Sequence, residues 1–205
     1  MLDGWARGRI DPGLNRAGVW LADQGISADG MTAVGLALGL ASALSVALGQ
    51  TWPAAVLLGA GRLADGLDGA IARATPERPR AALGGYHDLL ADFVFYGAFP
   101  LGFAALGHGL AAAFLLFAFY VNGASFLGFA VLAAQKGLET KAQGEKTLYY
   151  SAGLMEGSET IAFFLAMCLF PAAFGPLAVI FGLLCLMTAV GRLALARRVF
   201  GRPAG

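Results

Sequence analysis

ADGLDGAIAR, residues 64–73, and GGYHDLLAD, residues 84–92, place Asp65, Asp68, Asp88 and Asp92 among alanines, leucines, glycines and phenylalanines. Their setting is unusual for carboxylates. Of the 205 residues, 58% are hydrophobic and only 13% are charged, whereas a soluble domain carries about 25% charged residues. Apolar segments recur at 30–49, 53–73, 84–105, 108–134, 151–171 and 174–197. Each reaches the ~20 residues that carry a helix across a bilayer. None alternates with period two, which argues against a β-barrel. The pattern predicts an all-α polytopic membrane protein with six transmembrane helices and no separate soluble domain. The short ALGHG connection, residues 105–109, leaves five or seven spans open.

The charges are sorted by side. GQTWP, ALGHG and LFPAAFGP, the connections on one side, hold no Lys, Arg, Asp or Glu. Arg7, Arg9 and Arg16, then Arg73, Arg78 and Arg80, then Lys136, Lys141 and Lys146, then Arg197, Arg198 and Arg202 all fall on the other. The positive-inside rule makes that side cytoplasmic, together with both termini. A net charge of +1 conceals this asymmetry and offers nothing to nucleic acid.

The first 26 residues scatter charges and lack an uninterrupted apolar run, so they do not read as a signal peptide. Trp5, Trp20 and the arginines suggest a segment at the cytoplasmic interface, with a solvated leader as the alternative. Cys168 and Cys185 lie 17 residues apart inside apolar spans, match no metal spacing and read as small core residues. Gly35 and Gly39 form a GxxxG pattern that permits close helix approach.

Asp65 and Asp68 share one face of a helix, as do Asp88 and Asp92. The two helices form a hairpin around the loop at 74–83. At about 1.5 Å rise per residue, both pairs lie about 8–14 Å below that loop, at matching depth. Two like charges about 6 Å apart repel by roughly 3 kcal/mol at an effective dielectric of 20, so four clustered carboxylates repel by about 10–15 kcal/mol. That equals the whole stability of a typical domain, about 5–15 kcal/mol. The carboxylates must be protonated, paired or bound to cations. Arg62 and Arg73 can offset one or two. Oxygen-only ligands for the remainder suit Mg²⁺, Mn²⁺ or Ca²⁺ rather than zinc. His87 points away from the face of Asp88. The small residues Gly69, Ala72 and Gly84 leave space for a bulky ligand, and Arg73 is placed to meet a phosphate. Two cations about 4 Å apart can stabilise the attacking and leaving oxygens at phosphorus.

These residues resemble the CDP-alcohol phosphotransferase family, whose pattern is D-x2-D-G-x2-A-R-x8-G-x3-D-x3-D. Asp65, Asp68, Gly69, Ala72 and Arg73 match its first half, and Gly84, Asp88 and Asp92 its second. The linker from Arg73 to Gly84 holds ten residues instead of eight. SADGMTAVG, residues 27–35, resembles a second element, with Asp29, Thr32 and Gly35 matching and Ala28 in place of a proline.

The resemblance implies a chain organised as an interfacial segment at 1–26, a six-helix catalytic domain at 27–198 and a cytoplasmic tail at 199–205. It implies transfer of a substituted phosphate from a CDP-linked donor, such as CDP-diacylglycerol, to an alcohol, with release of CMP in phospholipid biosynthesis. Asp65, Asp68, Asp88 and Asp92 would hold Mg²⁺ or Mn²⁺, two ions in all, and Asp92 would take the proton of the acceptor hydroxyl. Asp29, Thr32, Gly69, Arg73 and Gly84 would bind the CDP part. A homodimer in the lipid bilayer is expected, in the inner membrane if the cell is bacterial. Candidate acceptor residues are Lys136, Lys146, Glu156, Glu159 and Arg192. The two glutamates would repel a phosphate and favour a neutral or cationic alcohol; they also read as a solvated helix start. The lysines also read as contacts to lipid headgroups. A small ion-coupled transporter, with carboxylates in its ion path, is the alternative function. A non-catalytic scaffold with paired aspartates is a third.

Overall fold

A computed structural model describes residues 2–75, 81–136 and 157–201. All secondary structure among them is helical: α1 (Leu2–Asp23), α2 (Ala28–Ala47), α3 (Thr51–Ala74), α4 (Ala81–Phe103), α5 (Gly109–Gln135), α6 (Gly157–Leu169) and α7 (Phe174–Phe200). The chain is a polytopic all-α membrane protein. Among the described residues, three helical stretches are long and apolar enough to cross a membrane: Ala28–Ala47, Leu83–Gln135 and Pro171–Phe200. The 53-residue middle stretch runs from the third residue of α4 to the end of α5.

Glycines make the turns. Gly49 and Gly107 take φ of 75° and 94°, a left-handed conformation that costs other residues a clash at Cβ. At Gly107 the chain folds back within the ALGHG stretch. Phe93 then meets Gly123, and Tyr96 meets Phe119, so α4 and α5 form an antiparallel pair. This divides the ambiguous apolar run into two helices.

α2 is the organising helix. Ser27, in an extended conformation, accepts a hydrogen bond from the Gly30 amide at 3.1 Å and starts the helix. Along α2, Gly35 lies against the Gly61 backbone, and the Ser42 hydroxyl donates to the Ala54 carbonyl at 2.8 Å. α3 therefore runs antiparallel to α2. On another side of α2, Gly39 faces the Phe95 ring and Ala43 faces Gly102, which sets α4 parallel to it. The two glycines of the GxxxG pattern thus serve two different neighbours. α3 and α4 each pack on α2 but scarcely on each other, which leaves space between them.

The remaining helices close an aromatic core. Phe95, Phe99, Phe103, Phe164, Phe174 and Phe181 are all fully buried. Phe99 stacks on Phe164 at 4.2 Å, and Phe103 on Phe174 at 4.1 Å. Such pairs contribute about 0.5–1.5 kcal/mol each beyond area burial. Cys168 and Cys185 are buried in this core as expected. Leu44, Trp52, Val56, Leu110, Tyr120 and Val190 are exposed on the outside, where a bilayer would cover them.

The N-terminal segment, expected at the membrane interface, is helical. It is a 22-residue helix docked on α3. The reason is Gly18. A Cβ there would lie 2.6 Å from the Ala70 Cβ, so only glycine permits this approach.

Candidate active site

Asp65 and Asp68 lie one turn apart on α3, and Asp88 faces them from α4. Each offers a carboxylate oxygen, and the three lie within 4.8 Å of one another. Asp68 is buried and the other two are half-buried. The Gly35–Gly61 contact brings α2 close enough for the Thr32 hydroxyl to donate to Asp68 Oδ2 at 2.7 Å. The Ala28 carbonyl, 3.1 Å away, is a second acceptor within reach of the hydroxyl's single proton. Thr32 therefore holds one oxygen of the most buried carboxylate.

The fourth aspartate is engaged differently. Arg62 Nη1 donates to Asp92 Oδ1 at 2.8 Å and lies 3.6 Å from Asp65 Oδ2. Its guanidinium sits 4.9 Å over the Phe95 ring. Arg62 thus bridges the carboxylate group and the aromatic core, and it offsets two acidic charges. Asp92 stands beside the three converging carboxylates rather than within their group. Oxygens bound to one divalent cation at about 2.1–2.5 Å lie no more than roughly 5 Å apart. Asp65, Asp68 and Asp88 fit that requirement with oxygen donors alone, from two helices.

Arg73, the other expected partner for the aspartates, is held elsewhere. Its Nε and Nη2 donate to Asn15 Oδ1 of α1 at 3.3 and 2.8 Å. Its Nη1 lies over Gly69, 3.4 Å from where a Cβ would stand. Asp29 lies against Gly84, at 3.5 Å from a Cβ position there, and His87 Nδ1 is 3.9 Å from Asp29 Oδ1. Helix α2 therefore carries Asp29 to the start of α4 and Thr32 to α3. No signal in the sequence marked Asn15, because the N-terminal segment carries no motif.

Asp92 also lines a cavity of about 690 Å³ between α4, α5 and α7, next to the start of α6. Its polar wall includes Tyr96, Asn122, Thr160 and Arg192; phenylalanines and leucines form much of the remainder. Arg192 Nη1 donates to Ser125 Oγ at 2.7 Å and to the side chain and carbonyl of Asn122 at 3.1 and 3.3 Å. Of the candidate acceptor residues, Arg192 lines this cavity. Lys136 caps the end of α5 and Glu159 lies in the first turn of α6, where Ser158 donates to it at 3.2 Å; neither lines the cavity. Lys146 and Glu156 lie outside the described residues.

The family model for CDP-alcohol phosphatidyltransferases matches residues 26–195. The chain belongs to the CDP-alcohol phosphatidyltransferase family. That match spans α2 to α7 and every aspartate described above, and it decides against the transporter reading. Inner membrane protein YnjF of Escherichia coli (strain K12) is 44% identical over 196 residues, covering 94% of each chain. Two structures of Mycobacterium tuberculosis phosphatidylinositol phosphate synthase (PgsA1) share the fold. The one with CDP-DAG bound has a TM-score of 0.67 at 20% identity, covering 94% of this chain and 98% of that one. The complex with manganese and citrate has a TM-score of 0.71 at 21% identity, covering 93% of each. As a member of this family, the protein is an integral membrane protein related to transferases.

Proposed function

We propose that this protein transfers a phosphatidyl group from CDP-diacylglycerol, or a similar CDP-linked donor, to an alcohol, with release of CMP. The observation that carries the reading is the convergence of Asp65, Asp68 and Asp88 within 4.8 Å, with Asp92 beside them on the wall of a cavity. Support also comes from the CDP-DAG and manganese complexes of the structurally similar synthase.

Asp65, Asp68 and Asp88 would hold Mg²⁺ or Mn²⁺, with Asp92 close by. When bound, the ions neutralise the pyrophosphate and stabilise the attacking and leaving oxygens at phosphorus. Thr32 orients Asp68 by its 2.7 Å hydrogen bond. Gly69 and Gly84 leave room for the nucleotide, with Asp29 next to Gly84, and Arg73 contacts a phosphate. The acceptor enters the cavity and brings its hydroxyl to Asp92. Its oxygen forms the new bond to the phosphatidyl phosphorus, and the bond from that phosphorus to the CMP oxygen breaks. The hydroxyl proton passes to Asp92, whose other oxygen stays in the grip of Arg62. This arrangement belongs to a six-span protein with its site and termini on the cytoplasmic side, acting as a homodimer.

The acceptor is a neutral or cationic alcohol in this reading. This part rests on the sequence alone: Glu156 and Glu159 at the start of the fifth span would disfavour a second phosphate, although Glu159 does not line the cavity. Arg192 is already bonded to Asn122 and Ser125, which suits a structural role in the cavity wall.

The test is CMP release by purified protein in detergent with CDP-diacylglycerol and Mg²⁺ or Mn²⁺. Acceptors would be glycerol 3-phosphate, inositol, inositol phosphate, serine, choline and ethanolamine. Acceptor-dependent CMP that is lost in Asp92→Asn establishes the reaction and names the alcohol. Absence of both CMP release and metal-dependent donor binding would remove the transferase reading.

A further inference from the structure

We propose that Asn15 is a positioning residue of the donor site, and that α1 is therefore a working part of it. The inference rests on the reading above that Arg73 contacts a donor phosphate. A guanidinium presents its donors as a rigid planar fork. Asn15 Oδ1 accepts from Nε and Nη2, the two nitrogens of one edge. Only the oxygen of the asparagine amide can fill this role, which assigns its orientation. With that edge held, the plane of the guanidinium is set, and Nη1 is left lying over Gly69, the residue that follows Asp68 in the chain.

Arg73 needs such a partner. It stands in the last turn of α3, exposed, and its side chain must fold back toward the carboxylates to act on a ligand held there. Two further contacts keep Asn15 in register. Gly18, one turn along α1, lies flush against Ala70 and Ile71, and the Leu14 side chain covers Gly66. The contacts span the same part of α3 that carries the motif, from Gly66 to Arg73. A displacement of α1 would therefore release the arginine without touching a carboxylate.

The experiment compares Asn15→Ala, Asn15→Asp, Gly18→Val and Arg73→Ala in the full-length protein. It measures metal-dependent binding of CDP-diacylglycerol, together with KM and kcat for CMP release and the unfolding temperature. A hydrogen bond to a charged group corresponds to about a tenfold change. Asn15→Ala is expected to raise Kd and KM for the donor about tenfold, with kcat and unfolding temperature little changed. Asn15→Asp keeps the accepting oxygen and is expected to restore most of the affinity. Gly18→Val, which pushes α1 off α3, is expected to reproduce the rise in KM. Unchanged donor affinity in Asn15→Ala, beside a clear loss in Arg73→Ala, overturns the positioning role and leaves the transferase reading intact. A loss of unfolding temperature in Asn15→Ala that Asn15→Asp does not rescue also overturns it, because that marks a structural contact. Unchanged donor binding in Arg73→Ala shows instead that the assignment of Arg73 itself is wrong.

Discussion

Helix α4 has two halves built on different principles. Its first half carries Asp88 and Asp92, and its second carries Phe95, Phe99 and Phe103. In the first half a few directional contacts decide the arrangement: Arg62 on Asp92, Thr32 on Asp68 across the gap, and Asp29 against Gly84. In the second half no single contact decides anything. Phe99 and Phe103 are each stacked on an aromatic partner from another helix, and all three rings are buried. The polar half is a site held open, because α3 and α4 pack on α2 and leave space between them. The aromatic half is filled. It is the packed end of a helix whose other end presents the carboxylates. Phe95 joins the two, since its ring lies under the Arg62 guanidinium.

That contrast yields graded expectations. The largest effect belongs to Asp92→Asn, which keeps shape and removes the proton acceptor. CMP release should fall about 10²–10⁴-fold, with an unchanged unfolding temperature measured in the same detergent. Phe164→Ala probes the filled half. It removes a ring that meets Phe95, Phe99 and Phe181, and should cost about 3–5 kcal/mol of stability. Activity per folded molecule should stay close to normal at low temperature. A catalytic loss in Phe164→Ala without loss of stability would break the division between the halves.

Smaller effects sharpen the junction. Arg62→Met removes the charge while keeping the length. It frees Asp92 and leaves like charges unopposed, so CMP release should fall roughly tenfold or more, by the ~1.5–3 kcal/mol of a charged hydrogen bond. Thr32→Val deletes the hydroxyl on Asp68 and should raise the Mn²⁺ concentration for half-maximal activity about threefold to tenfold, by the ~0.5–1.5 kcal/mol of a typical hydrogen bond. Titration of activity against Mn²⁺ reads this directly. A chelator should abolish CMP release in the unaltered protein, and added Mn²⁺ or Mg²⁺ should restore it.

Much of this was legible in the residues. The i,i+3 and i,i+4 spacing of the aspartates, their equal depth below one loop and the small residues beside them required a shared polar volume. Arg62 as a counter-charge followed from its place on the same helix. The turn at Gly107 was harder to read, because ALGHG is apolar and only the left-handed φ of one glycine divides the run. The separate placement of Asp92 was not legible at all. Its spacing matches that of a fourth ligand, and only the reach of Arg62 from α3 distinguishes it. The same holds for Arg73, whose partner lies 58 positions away on an N-terminal segment that carries no motif.

The sequence by itself determined the solvent, the helices and the clustering of the carboxylates. Apolar length dictates lipid, and backbone hydrogen bonding in lipid dictates helices. Clustered carboxylates dictate neutralisation by protons, paired arginines or cations, since their repulsion rivals the stability of a domain. Tertiary structure alone decided which groups share a partner. Glycines at 18, 35 and 61 let three helix backbones approach, and that approach selects Asn15 for Arg73 and Thr32 for Asp68. The physical reason is range. Periodicity and motif spacing act within one helix, whereas a hydrogen bond of under 3 Å depends on where a second helix lies to within a fraction of its width.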